Sequence, residues 1–215
     1  MNPFFLIFGV VLGLVFSVTT VAGAVWCVQI SMGRGFCAGL AAGGAIALAQ
    51  SFWAFLAALL LFNCGWFGFR YDWLYRISAI LILGSMALTV FQAQRIQTIN
   101  YTGPLERVYK IFTTTLGIAI TMPMRLPGYL ALFVSASLHY RPRGAGDALL
   151  LGAGVGAGSL VWWLGFVVLA VLFGRSVPEP VTLKSMNKLK ILAGAVLLVL
   201  MLIGAAPLVP GFKEV

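Results

Sequence analysis

The chain has 215 residues, 61% of them hydrophobic and only 9% charged, with a mean hydropathy of +1.04. A soluble domain of this length needs a charged shell that so few charges cannot make, so the composition points to an integral membrane protein. Lys and Arg number 14 against 5 Asp and Glu, a net charge of +9. The basic residues fall in short connectors between apolar runs, which reads as topology control and contact with anionic headgroups and not as a nucleic-acid surface.

A helix needs about 20 apolar residues to cross the hydrocarbon core. Six runs reach that length, at 4–31, 36–62, 73–93, 111–138, 148–173 and 189–207. The first run has no cation before it and exceeds a signal-peptide core, so Ala22-Gly23-Ala24 is read as part of a retained helix and not as a cleavage site. MGRG (32–35) is a tight turn into the second run, where Gln50 lies deep among apolar residues. NCGWFGFRYD (63–72) is a short aromatic connector, and QRIQTINYTGPLERVYK (94–110) is the longest polar segment, with an Asn100-Tyr101-Thr102 glycosylation triplet. HYRPRGAGD (139–147) and GRSVPEPVTLKSMNK (174–188) complete the connectors.

The fourth run departs from an ordinary span at TMPMRLPGY (121–129). Pro123 and Pro127 should break or kink it, because proline removes a donor and clashes with the preceding turn. Arg125 lies between them. An arginine at the bilayer centre costs about 2.5–3.5 kcal/mol, so it should face the interior with a partner. It either receives a carboxylate, helped by the positive ends of half-helices, or pairs with carbonyls and snorkels to hold the kink. No acid lies deep in an apolar run: Asp72 and Asp147 stand at helix starts, and Glu106, Glu179 and Glu214 in loops or the tail.

The two halves of the chain echo each other. Phe16-Ser17-Val18-Thr19-Thr20 in the first run corresponds to Phe112-Thr113-Thr114-Thr115 in the fourth. Gly43 precedes Trp53 by ten residues, as Gly152 precedes Trp162. Arg76-Ile77-Ser78-Ala79 and Lys190-Ile191-Leu192-Ala193 open the third and sixth runs. Three spans duplicated in tandem insert the second copy upside down, an architecture of secondary transporters with a site at the midplane where broken helices meet. The expected fold is therefore all-α: six transmembrane helices as two inverted three-helix repeats, with the first and fourth broken. The chain is one transmembrane domain, 1–215, with halves near 1–95 and 108–210 joined by 94–110. Gly39, Gly43, Gly152 and Gly156 have the small-xxx-small spacing of close helix packing, and Trp53, Trp162 and Trp163 either pack, anchor or line a cavity.

Counted by side, the odd connectors carry eight Lys and Arg and the other side five, which places both termini outside the cytoplasm. Cys27, Cys37 and Cys64 form no CxxC, and His139 stands alone at a helix end, so neither a metal nor a redox site is expected. HExxH, GxSxG and paired aspartates are missing, as is a nucleotide-binding loop, so neither an enzyme nor a cofactor is expected.

The motif order over nearly the whole chain resembles the LysE/RhtB superfamily of small amino-acid exporters. The family's Pro-Gly-Pro has its counterpart in Ala22-Gly23-Ala24, followed by Gly33-Arg34-Gly35 and Gly39-Leu40. Its Asn-Pro-Lys corresponds to Met122-Pro123-Met124, with Arg125 next. The last third, LLLGAGVGAGSLVWW to MNKLKILAGAVLLVL, is the most similar part. The flanking prolines, the asparagine and the lysine are absent here, and Gln50 stands where many members carry an acid. The resemblance implies a secondary exporter of a small amino acid in the plasma membrane, compatible with a homo-oligomer and driven by a gradient. The ligand would be small and zwitterionic or anionic. Thr19, Thr20, Gly23, Gln50, Thr121, Pro123 and Arg125 are its candidate substrate residues. The alternative is a six-helix scaffold, subunit or assembly factor that does not transport.

Overall fold

The structure, a computed structural model, describes residues 3–66, 72–92, 108–122, 125–136, 144–174 and 179–205. All described regular structure is helical: α1 Phe4–Thr19, α2 Val21–Arg34, α3 Phe36–Trp66, α4 Asp72–Gln92, α5 Val108–Ile120, α6 Arg125–Ala136, α7 Ala145–Gly174 and α8 Glu179–Ala205. The six apolar runs thus become eight helices, because the first and fourth are each divided in two. Phe36–Leu61 and Ala145–Leu172 are each long and apolar enough to cross a membrane. The number rises to four if each divided pair counts as one span, and Ile77–Leu88 in α4 is a shorter apolar stretch.

Sequence explains the ends. Pro3 takes helical angles before α1, and its carbonyl accepts the amides of Leu6 and Ile7. Between α2 and α3 the chain turns at Gly35 with φ 87° and ψ −179°, a conformation essentially confined to glycine. Its amide closes α2 on the Ser31 carbonyl and its own carbonyl accepts Gly39, so the predicted MGRG turn needs a single residue between helices. Asp147 lies in the first turn of α7, where a carboxylate complements the positive helix end. Pro127 belongs to the first turn of α6, where a missing N–H breaks no intrahelical bond. It therefore does not kink the helix, contrary to the expectation from sequence; the interruption lies before it. Pro123, His139, Asn100 and Glu106 lie outside the described residues, as do the side chains of Asp72, Glu179 and Cys64.

Backbone approach organises the packing. α1 lies on α7 along Gly9 and Gly13 against Gly154 and Gly158. A methyl group on Gly154 or Gly158 would strike the carbonyl oxygen of Leu6 or Val10, and one on Gly13 that of Val155. α3 crosses α7 with Gly43 against Trp163, and Gly152 and Gly156 against Phe55 and Ser51. The Ser51 hydroxyl donates to the Gly152 carbonyl at 2.8 Å, and that of Ser159 to the Gly13 carbonyl at 3.4 Å. α5 packs on α3, while α4, α6 and α8 meet over Leu83, Ala87, Ala131 and Leu197. Outward, Leu48, Leu81, Leu149, Val161, Leu172, Ile191 and Leu202 are exposed, an apolar exterior suited to lipid.

Candidate functional site

The first interruption is built by threonines. The run Val18-Thr19-Thr20-Val21 is entirely β-branched, which weakens helix. The hydroxyls of Thr19 and Thr20 both donate to the Phe16 carbonyl, at 2.7 and 3.2 Å, and the Thr20 amide turns back to the Ser17 carbonyl. Competition of this kind for a carbonyl loosens the ladder. Thr20 leaves the helix at φ −85°, ψ 61°, and the axis of Gly23–Arg34 departs from that of Phe4–Thr19 by 78°. From sequence the broken segment is expected over Thr19 to Ala24, with a loosened glycine turn; the structure breaks the run at Thr20, within that segment, and has Gly23 inside α2. A Cβ there would lie 3.1 Å from the Trp163 ring and 3.2 Å from Ile46, so the glycine admits an indole.

Gln50 of α3 holds this bend. It is fully buried, its Oε1 accepts the Ser17 hydroxyl at 3.1 Å, and its Nε2 donates to Thr20 Oγ1 at 3.1 Å. One amide thereby bridges the last turn of α1 to the residue where the helix ends.

The second interruption lies between the end of α5 at Ile120 and the start of α6 at Arg125. The Thr121 amide closes α5 on the Gly117 carbonyl, Met122 is non-helical ahead of Pro123, and the Arg125 amide returns to the Met122 carbonyl at 3.3 Å. The axes of Val108–Ile120 and Arg125–Val134 differ by 66°. Arg125 opens α6. Its Nη1 is buried and meets no hydrogen-bond partner among the described residues. One turn on, Tyr129 is 0% exposed with its hydroxyl likewise unpartnered. Its ring stacks on Phe16 at a centroid distance of 4.1 Å and a tilt of 30°.

Those rings bring the two interruptions together. Phe16, whose carbonyl binds both threonines, touches Tyr129, and a Cβ on Gly128 would lie 3.4 Å from the same ring. On the other side, Trp26 of α2 donates its indole N–H to the buried Thr115 hydroxyl of α5 at 3.1 Å. Of the expected residues, Thr19, Thr20 and Gln50 gather at the first bend, Gly23 packs just beyond it, and Arg125 stands at the second. Thr121 is exposed and its hydroxyl serves the Ile118 carbonyl; Pro123 lies outside the described residues.

Sequence reading missed Tyr129, Ser17, Trp26 and the Gly9/Gly13–Gly154/Gly158 seam. The seam had a signal, since both pairs have GxxxG spacing; Tyr129 had only its position one turn after Arg125. Trp53, Trp162 and Trp163 each have a buried indole N–H without a partner among the described residues. Cys27 lies in the middle of α2, buried, and Cys37 is exposed; both are free thiols. No group of three metal-ligating side chains forms among the described residues. Comparison with protein-family models, with curated proteins and with solved structures finds no match to this chain.

Proposed function

We propose that the chain is a secondary transporter of the plasma membrane, exporting a small carboxylate-bearing metabolite such as an amino acid by alternating access. The observation that carries this reading is the buried Nη1 of Arg125, which has no hydrogen-bond partner among the described residues, at the division of the fourth run and one turn from the Tyr129 ring that lies on Phe16. A cation so placed is costly unless a ligand completes it, and the N-terminal end of α6 adds positive potential beside it.

The packing also supports six spans as two inverted repeats. Exchange α1 with α5, α2 with α6, α3 with α7 and α4 with α8, and the most extensive helix contacts map onto one another, although α2 on α3 and α1 on α8 find no comparable counterpart in α6 on α7 or α5 on α4. α1 on α7 becomes α5 on α3, while α3 on α7 and α4 on α8 map to themselves. The Phe16–Tyr129 contact between α1 and α6 becomes the Thr115–Trp26 contact between α5 and α2. The sequence echo and the resemblance to LysE/RhtB exporters point the same way; six spans put both termini on one side, and the Lys and Arg count favours the side outside the cytoplasm.

The test is counterflow of labelled amino acids into proteoliposomes. Arg125→Ala should reduce exchange by at least tenfold, as expected for loss of a charge-assisted hydrogen bond of about 1.5–3 kcal/mol, with Arg125→Lys retaining part of it. Equal exchange by wild type and Arg125→Ala refutes the assigned role. Reporter fusions at each terminus test the orientation.

The non-transporting scaffold draws on a specific observation too: both ends of Gln50 are consumed by Ser17 and Thr20, which suits a permanently fixed bend. Under that reading no tested solute exchanges, and a partner protein co-purifies in stoichiometric amount.

A further inference from the structure

The polar interior is unbalanced in kind. Every buried side-chain nitrogen or oxygen that lacks a partner among the described residues can donate a hydrogen bond: Trp53 Nε1, Arg125 Nη1, the Tyr129 hydroxyl, Trp162 Nε1 and Trp163 Nε1. Four of these five can only donate. The side-chain acceptors at the bends, and two of the carbonyls there, are already engaged. The Phe16 carbonyl takes two threonine hydroxyls and the Ser17 carbonyl takes the Thr20 amide. Gln50 Oε1 takes Ser17, and the Thr20 and Thr115 hydroxyl oxygens take Gln50 and Trp26.

Buried donors left idle are expensive, so the missing complement is a group rich in acceptors. A carboxylate fits that description, having two oxygens and about four lone-pair sites. An ammonium has only donors and would compete with the surplus already present. Arg125 and Tyr129 stand four residues apart on α6, hence on one face of it, with Trp53 packed against the same apolar cluster as Tyr129.

Resting on the transporter reading and narrowing its substrate class, we infer that Arg125 and Tyr129 form a carboxylate receptor that requires no amino group on its ligand. The preferred solutes are then organic acids, with amino acids accepted through their carboxylate alone. Tyr129 supplies the second hydrogen bond, from a buried hydroxyl that has no partner among the described residues.

The experiment uses the full-length protein, in detergent for thermal melting and in proteoliposomes for counterflow. Three matched sets serve as probes: alanine, leucine and phenylalanine, each with its 2-oxo acid and its amide. The oxo acids should raise the melting temperature and exchange at least as well as the amino acids, and the amides should do neither. Tyr129→Phe should weaken oxo-acid binding by about tenfold, the loss of one hydrogen bond to a charged group. Its ligand-free melting temperature should not fall, because the phenyl ring keeps its stack on Phe16.

Amino acids that bind and exchange while their oxo acids do not would overturn the receptor and leave the transporter standing. Oxo acids that bind and never exchange would uphold the receptor and overturn the transporter. A Tyr129→Phe protein that binds like wild type, or a failure of all nine compounds to bind, overturns the receptor.

Discussion

At the scale of single residues, Gln50 fixes the bend between α1 and α2. Its amide spends one end on Ser17 and the other on Thr20, so Gln50→Leu leaves a buried donor and a half-buried acceptor unpaired. That substitution should cost about 1–3 kcal/mol, the lower part of the range applying in a membrane, where alternative partners exist in the unfolded state. Denaturant titration in mixed micelles measures it, and Ser17→Ala in the same chain should recover part of the loss. An unchanged midpoint for Gln50→Leu would mean the bend holds without the bridge. Gln50 also shows where reading the sequence stops. A polar residue deep in an apolar run is visible at once. Its partners are 33 and 30 residues away, and nothing local tells a ligand-facing amide from one saturated by its own protein. Tyr129 is the converse: an aromatic in a helix looks like packing until its hydroxyl is found buried and idle.

At the scale of elements, the α1–α7 seam is the tightest contact between helices. Methyl groups at Gly154 or Gly158 meet carbonyl oxygens of the facing backbone, which cannot swing aside as a side chain does. Gly154→Ala and Gly158→Ala should each destabilise by about 1–3 kcal/mol, the usual penalty of overpacking. Gly165→Ala, on the same helix with nothing within 4 Å of the added carbon, should instead gain up to about 1 kcal/mol from helix propensity. Equal effects at the three positions, read by the same titration, would show that the seam contributes nothing. The divisions of the first and fourth runs were legible to different degrees. Prolines announce the second, although Pro127 proves harmless within the first turn of α6. The first has no proline, and its position follows from two hydroxyls reaching one carbonyl. That competition depends on rotamers, which residue order does not specify, so the expectation spans Thr19 to Ala24 without singling out Thr20.

At the scale of the whole molecule, each half of the chain leans on the other. α1 and α3 pack on α7, α5 packs on α3, and α4 meets both α6 and α8. A chain divided within the connector 94–110 should therefore reassemble: fragments 1–100 and 101–215, co-expressed, should co-purify in equal amounts through a tag on one of them. Fragments that purify separately would contradict the interleaved packing. The broad class was legible from composition, since so apolar a chain has no soluble alternative. The pairing of helices was not, because glycine-rich apolar surfaces look alike until backbone distances distinguish them.

The glycine seam also constrains how such a bundle can move. Backbones pressed together along two turns act as a weld, so α1 travels with α7, its neighbour from the opposite half of the sequence, and not with the α2 that continues its own chain. The 78° elbow at Thr20, bridged by Gln50, marks where that weld ends. The frame of this protein is therefore assembled from opposite ends of the chain, and the segments beyond the elbows hang from a frame that no single stretch of sequence builds.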